Sequence, residues 1–471
     1  MSLIEEILEE TVDTKACVHG PGVIGRVAEL FRQLFPEARR AIVIDDVNTR
    51  RVAGEKVIAL LKDAGIETAE YTINPDGSWF HATYDKVEEV REAIRSESTN
   101  RRIDESTNSL IPVAVGSGTI NDLVKRSSEE LGLRYMVVGT AASMDGYTSS
   151  GAALTVDGMK QTLPCRAPLG ALVDTLIAAA APKEMTASGY ADLLAKIPAG
   201  ADWILADALL PAYADSENKH GCEPIHALAW KCVQGPLRAS LANPAAVAAG
   251  DEKEIAKFSE GLLMSAFAMQ ASGTSRPASG TEHQVSHYWD MEDLSHNGQP
   301  VSHGFKVGIG TLISTRTIEF LLAKDLANLD VEEAVAKWPK SFEELAAELP
   351  AVYAGRPAHL KRALSEMSKK YSTPDELRRE LTLLKRIWPE LSAKLRKQLM
   401  PFDEVRAKLK AVGAPYEPEM IGVTRERFRE TYRGVPYMRN RYFSLDLVSR
   451  LGLMDELLDS LFGKGGIWEI Q

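Results

Sequence analysis

Along the first third of the chain, short apolar runs alternate with stretches whose apolar residues recur every three or four positions. ARRAIVIDD (38–46) ends a β-branched run in two carboxylates and predicts a strand; TRRVAGEKVIALLKDAG after it has helical spacing. ETAEYTI (67–73), SLIPVAVGSG (109–118) and RYMVVGT (134–140) predict further strands. Helical patterns, YDKVEEVREAIRS and INDLVKRSSEELG, lie between them. This alternation implies an α/β fold with a parallel sheet and crossover helices. Ligands in such sheets bind beyond the carboxyl ends of the strands.

From about Tyr190 the pattern changes to Ala and Leu at helical spacing, as in EKEIAKFSEGLLMSAFAMQ and SFEELAAELPAVY. The expected architecture is an N-terminal α/β domain over 1–180, followed by an all-α domain over 181–471. Residues 359–410 are dense in Lys and Arg (KRALSEMSKK, ELRRE, KLRKQ), with a helix start at STPDEL. Solvated faces of surface helices are the plain reading, and an oligomer contact or anionic surface is the other.

A length of 471 residues favours two or more domains. The formal net charge of -11 argues against nucleic acid as a partner, since phosphate backbones need a clustered positive field. The start, MSLIEEILEETVD, lacks the basic flank and apolar core of a signal peptide. The most apolar run, LGALVDTLIAAAA, is interrupted by Asp174 and too short to cross a bilayer. Four scattered cysteines fit reduced thiols, so a cytoplasmic protein is expected, without membrane association.

Candidate chemistry collects at four places. In VAVGSGTINDLVK, Gly116 and Gly118 fall between a strand and a helix, where the backbone can approach a diphosphate. The spacing is not G-x-G-x-x-G, so a structural tight turn is an equal reading. In VVGTAASMDGYTSSGAAL (137–154), small residues leave room for a planar ring, and Thr140, Ser143 and Ser149 can hydrogen-bond it or its ribose; a polar loop at a sheet edge is the alternative. Asp46 can accept from both ribose hydroxyls and would repel a 2′-phosphate, which favours NAD over NADP, although Asp45 is equally suited.

The fourth place is a set of metal-ligand types. Asp192 lies in SGYADLLAK, His283 in SGTEHQVSHYWDM and His303 in SHGFKVGIG. One carboxylate and two imidazoles suit zinc, nickel or iron and leave positions open for a substrate oxygen. With nine histidines in the chain, chance pairing is the competing reading.

Together the motifs GSGTINDLVK, GTAASMDGYTSSGAAL, GYADLLAK, SGTEHQVSHYWDM and MRNRYFSLDLVSRLGL resemble the iron-containing alcohol dehydrogenase superfamily, closest to its glycerol-1-phosphate dehydrogenase branch. The resemblance implies a dehydroquinate synthase-like fold, with the dinucleotide bound by the α/β domain over 1–180 and the metal and substrate by the all-α domain over 181–471. It implies that Gly118, Thr119, Ile120, Asn121 and Asp122 line the dinucleotide with Thr140, Ala141, Ala142 and Ser143, and that Ser149 is nearby. Asp192, His283 and His303 would ligate one divalent metal, zinc, nickel or iron, and Asp145 and His287 would meet the substrate. The implied reaction is reversible reduction of dihydroxyacetone phosphate to sn-glycerol 1-phosphate with NAD, or NADP, in a homo-oligomer. A dehydroquinate synthase-like lyase and a glycerol dehydrogenase are the alternatives on the same fold. The chain is longer than the resemblance needs, with residues 360–410 as the excess. Lys125, Lys160 and Arg166 are candidates for the phosphate holder.

Overall fold

The computed structural model describes residues 3–99, 110–156, 159–216 and 219–471. They pack as two compact units, one formed by residues 1–193 with 231–274 and the other by 194–230 with 275–471.

The first unit is built on a six-stranded parallel sheet. Its strands are β1 (Ala16–Gly20), β2 (Arg40–Asp46), β3 (Glu67–Ile73), β4 (Leu110–Val115), β5 (Met136–Gly139) and β8 (Gly170–Asp174), in the order β1-β8-β5-β4-β2-β3. A separate antiparallel hairpin, β6 (Ala152–Val156) with β7 (Met159–Leu163), follows β5. Alternate residues of each strand serve opposite faces, as the two-residue period requires. Ala41 and Val43 join one core with Val113, Phe31 and Leu61, whereas Ile42 and Ile44 join the other with Ala114, Val90 and Leu123. Burial on both faces explains the unbroken apolar run LIPVAV. Strand order reverses between β2 and β4, which pair in parallel with Ile44 opposite Ala114. The carboxylates ending β2 and the glycines following β4 therefore emerge side by side at the switch point, where such sheets bind ligands.

The expected strands and helices of this region form, but β1, β8 and the β6–β7 hairpin lie outside the sequence-based reading. GALVD, from the most apolar run of the chain, is an interior strand of the sheet. The division at residue 180 also differs from the packing. Helix Glu252–Ser272, in the Ala- and Leu-rich region, belongs to the first unit. Its Gln270 carboxamide oxygen accepts the Thr14 N–H at 3.2 Å, and its Ser265 reaches Asp145. Helical periodicity identifies such a helix but not the unit it packs on.

Among its described residues, the second unit has only one β ribbon, Ser295–His296 with Gln299–Pro300, and is otherwise built of helices and their connections. Its buried interior includes helices Lys196–Leu209 and His303–Leu322. The STPDEL stop-and-start signal begins helix Pro374–Gln398: Thr373 Oγ1 accepts the Glu376 N–H and Glu376 accepts the Thr373 N–H. No helix among the described residues is long and apolar enough to cross a membrane.

Candidate active site

At the end of β4, Gly116 lets Ile120 fold back, since a Cβ there would lie 2.7 Å from the Ile120 Cβ. Ser117 precedes helix Gly118–Glu130 without capping it. Its hydroxyl instead lies 2.6 Å from Ser143 Oγ and 3.2 Å from Tyr147 OH. Asn121 Nδ2 donates to the Tyr147 carbonyl at 3.1 Å, and its Oδ1 accepts from Tyr135 OH at 2.9 Å. Asp122 pairs with buried Lys125 at 3.1 Å and accepts the Ala153 N–H on β6. Asn121 directly, and Asp122 through Lys125, thus hold the 140–151 loop, whereas Ile120 packs in the core beneath the sheet end, Gly118 is half-buried and Thr119 is exposed.

Within that loop Thr140, Ala141 and Ala142 are buried, and Ser143 and Ser149 are half-buried. Ser149 Oγ donates to the Gly146 carbonyl at 3.1 Å. Helix Lys183–Leu194 lies directly on the loop: a Cβ at Gly189 would sit 2.1 Å from the Ala142 carbonyl oxygen. One turn on, Asp192 Oδ2 accepts the Asp145 N–H at 3.0 Å. Ser265 Oγ donates to Asp145 Oδ2 at 2.8 Å, so two buried carboxylates are fixed against one loop.

Asp45 and Asp46 are separated by their surroundings. Asp45 points inward, accepts from Thr72 Oγ1 at 2.8 Å, and lies so close to Gly54 that a Cβ there would meet its Oδ2 at 2.4 Å. Burial pushes its carboxyl up to about 6 against the pull of Thr72 and Arg50. Asp46, half-buried at the strand end, accepts the N–H groups of Asn48 and Thr49 through Oδ1. Lys125 donates to the Gly151 carbonyl at 2.9 Å, and Arg166 pairs with Glu129 at 2.8 Å. Both cations serve the first unit's own structure, and the Lys160 side chain lies outside the described residues.

The histidines of the second unit are positioned by a helix crossing. Helix Thr281–Asp290 starts on Asp202, whose Oδ2 accepts both the N–H and the hydroxyl of Thr281, at 2.8 and 2.9 Å. At Gly310, helix His303–Leu322 passes so close that a Cβ would lie 2.4 Å from the Glu282 carbonyl oxygen. This contact brings the His283 and His303 rings to 5.4 Å between centroids, and His287 lies 6.4 Å from each. Glu282 Oε1 stands 2.8 Å from His283 Nδ1. A carboxylate there holds the proton on Nδ1 and leaves Nε2 as the donor, the arrangement that metal-ligating histidines use. The imidazoles therefore fit a divalent ion of the zinc, nickel or iron type. His287 Nδ1 faces Asp290 at 3.5 Å, which is in turn paired with buried Lys306. Desolvation pushes the His287 imidazole down to about 4, Asp290 opposes this, and Arg439 and His283 add to it.

Sequence reasoning missed Ser117, Tyr147 and Ser265, which hold the loop, and Asp202 and Glu282, which hold the histidine helix. Glu282, adjacent to His283 in TEHQ, carried a readable signal, as did Tyr147 within the loop motif itself, whose hydroxyl accepts the Ser143 N–H; the others act across long separations in sequence.

The sheet, the glycine turn and the paired imidazoles define a class, and residues 18–182 match the family model described as iron-containing alcohol dehydrogenase. Solved structures agree at the level of fold. NADH-dependent butanol dehydrogenase A from Thermotoga maritima superposes with a TM-score of 0.56 at 15% identity, over 95% of this chain and 96% of that one. Glycerol dehydrogenase from Schizosaccharomyces pombe gives 0.55 at 14% identity, over 96% and 91%. Among curated proteins, glycerol-1-phosphate dehydrogenase [NAD(P)+] of Geobacillus thermodenitrificans is 30% identical over 357 residues, 74% of this chain and 80% of the relative. The Bacillus velezensis protein of the same name is 32% identical over 339 residues, 71% and 78%. The chain belongs to the glycerol-1-phosphate dehydrogenase family, and with it to the NAD(P)-linked, metal-dependent oxidoreductases.

Proposed function

We propose that this protein interconverts dihydroxyacetone phosphate and sn-glycerol 1-phosphate by hydride transfer, in the cytoplasm and as a homo-oligomer. The observation that carries the reading is its kinship with relatives bearing that name over about four-fifths of their length. One carboxylate and two imidazoles, Asp192 with His283 and His303, are the donor set for one divalent ion. When bound, the nicotinamide supplies the hydride and the ion draws charge from the substrate oxygen.

The chain's own residues do the rest. Gly118 and Thr119 at the helix start offer backbone N–H groups to the dinucleotide diphosphate. Thr140, Ala141, Ala142, Ser143 and Ser149 line the cofactor, with Asn121 and Asp122 holding their loop and Ile120 packed in the core. Asp46 accepts from the ribose hydroxyls and disfavours a 2′-phosphate, so NAD is the preferred cofactor. Asp145 fixes a substrate hydroxyl with the carboxylate that Ser265 orients. His287, neutral at pH 7 with its imidazole near 4, exchanges a hydrogen bond with a substrate hydroxyl and relays its proton.

A panel of dihydroxyacetone phosphate, dihydroxyacetone and glycerol with NADH or NAD and their phosphorylated counterparts, after loading zinc, nickel or iron separately, tests the reading. The expected outcome is steady NADH oxidation with dihydroxyacetone phosphate as the best substrate. Dependence on bound cofactor without net NADH consumption would move the protein to the lyases.

A further inference from the structure

The motif MRNRYFSLDLVSRLGL has no part in the chemistry above, yet its loop carries an unusual charge arrangement. Arg439 Nη2 and Arg441 Nη1 both donate to one hydroxyl, Ser275 Oγ, at 3.1 Å each. Arg441 also reaches the Ser279 carbonyl at 3.4 Å and is 3% exposed. Among the described residues, buried Ser279 Oγ has no hydrogen-bond partner. Two guanidiniums converging on a neutral hydroxyl repel each other, and Arg276 and Arg362 add to the positive field. Glu223, 3.4 Å from Arg441, and Glu366 are the carboxylates facing this pair. Burial holds both arginines below the usual guanidinium range, helped by Arg362 at Arg439 and by Arg439 at Arg441, a state that an incoming anion relieves.

The loop is held from outside by a helix in the basic segment. Helix Pro357–Lys370 presents Arg362, Glu366 and Lys370 at intervals of four, hence on one face. Arg362 Nε donates to the Met438 carbonyl at 3.0 Å, Glu366 accepts the Asn440 N–H at 2.6 Å, and Lys370 Nζ donates to the Arg439 carbonyl at 3.1 Å. Lys370 is fully buried and also paired with Asp446. A loop clamped at Met438, Arg439 and Asn440 fixes the two guanidiniums in place. Arg439 is half-buried, so it remains reachable from solvent, and Ser279, whose carbonyl Arg441 reaches, stands just before helix Thr281–Asp290, which carries His283 and His287.

We propose that Arg439 and Arg441, with the hydroxyls of Ser275 and Ser279, form the phosphate subsite of the substrate, and that helix Pro357–Lys370 is its support. This rests on the reading of a phosphorylated substrate and assigns residues to it. Planar guanidiniums match a phosphate monoester with paired hydrogen bonds, which a single lysine cannot do. The basic segment thus contributes to substrate selection as well as to a solvated surface.

The test measures two quantities on the zinc-loaded protein: the preference for dihydroxyacetone phosphate over dihydroxyacetone, as a ratio of kcat/KM, and the affinity for inorganic phosphate by titration calorimetry. Arg439→Gln is expected to cut the preference and weaken phosphate about 10- to 100-fold, at an unchanged melting temperature. Arg439→Lys is expected to restore part of both. Glu366→Gln, a positioning change, is expected to raise KM for the phosphorylated triose more than it lowers kcat. Wild-type preference and phosphate affinity in Arg439→Gln would overturn the subsite while leaving the reaction standing. If wild type shows no preference for the phosphorylated triose, the reading of the substrate fails, and the phosphate titration alone decides the subsite: affinity lost in Arg439→Gln supports it, and equal affinity overturns it.

Discussion

At the scale of single residues, environment assigns different work to neighbours of the same type. His283 and His287 sit one turn apart, but Glu282 holds the first by Nδ1 while Asp290 stands near the second. His283→Ala is expected to lose the divalent ion, and His287→Ala to keep it while losing substrate affinity or turnover. Metal content by mass spectrometry checks both, and full occupancy in each variant would sink the assignment. Asp45 and Asp46 differ in the same way. The Asp45 carboxyl is raised to about 6, above an unfolded value of about 4, so the folded protein favours its protonated form. The stability it contributes is complete below about pH 4 and is lost as pH rises through about 6. Asp45→Asn is therefore expected to stabilise the protein at pH 8 by on the order of 1–3 kcal/mol and to give no gain at pH 4. Equal gains at both pH values in thermal melts would contradict this.

At the scale of elements, close crossings at glycine set the positions of functional side chains. Gly310→Ala places a methyl against the Glu282 carbonyl, so one of the two helices must move. The expected cost is about 1–3 kcal/mol of stability with weakened metal retention, because His283 and His303 ride on the two helices. A variant with wild-type melting temperature and metal content would show that the crossing does not set their spacing. What was legible in the sequence follows the same division. Strands flanked by helices were readable from period and length, and ETAEYTI was bounded correctly as Glu67–Ile73. ACVHG and GALVD were not, since five-residue strands beside helical or glycine-rich stretches carry too little period to separate them. The candidate side chains were legible as types in motifs. Their holders, Asp202 and Ser265, were not, because each acts on a residue 79 or 120 positions away.

At the scale of the whole molecule, the chain passes between its two units three times rather than once. Helix Glu252–Ser272 returns to the first unit to support Asp145, and the basic segment serves the second unit's Arg439 loop. Family membership and the paired imidazoles converge on one central claim: a metal-dependent, nicotinamide-linked reduction of a phosphorylated triose. The most direct measurement is NADH oxidation with dihydroxyacetone phosphate by protein stripped with a chelator, then reloaded with zinc, nickel or iron. Turnover is expected to disappear on stripping and to return with at least one of the three ions, but not in Asp192→Ala. Turnover that persists in metal-free, folded protein, or that no ion restores, would contradict it.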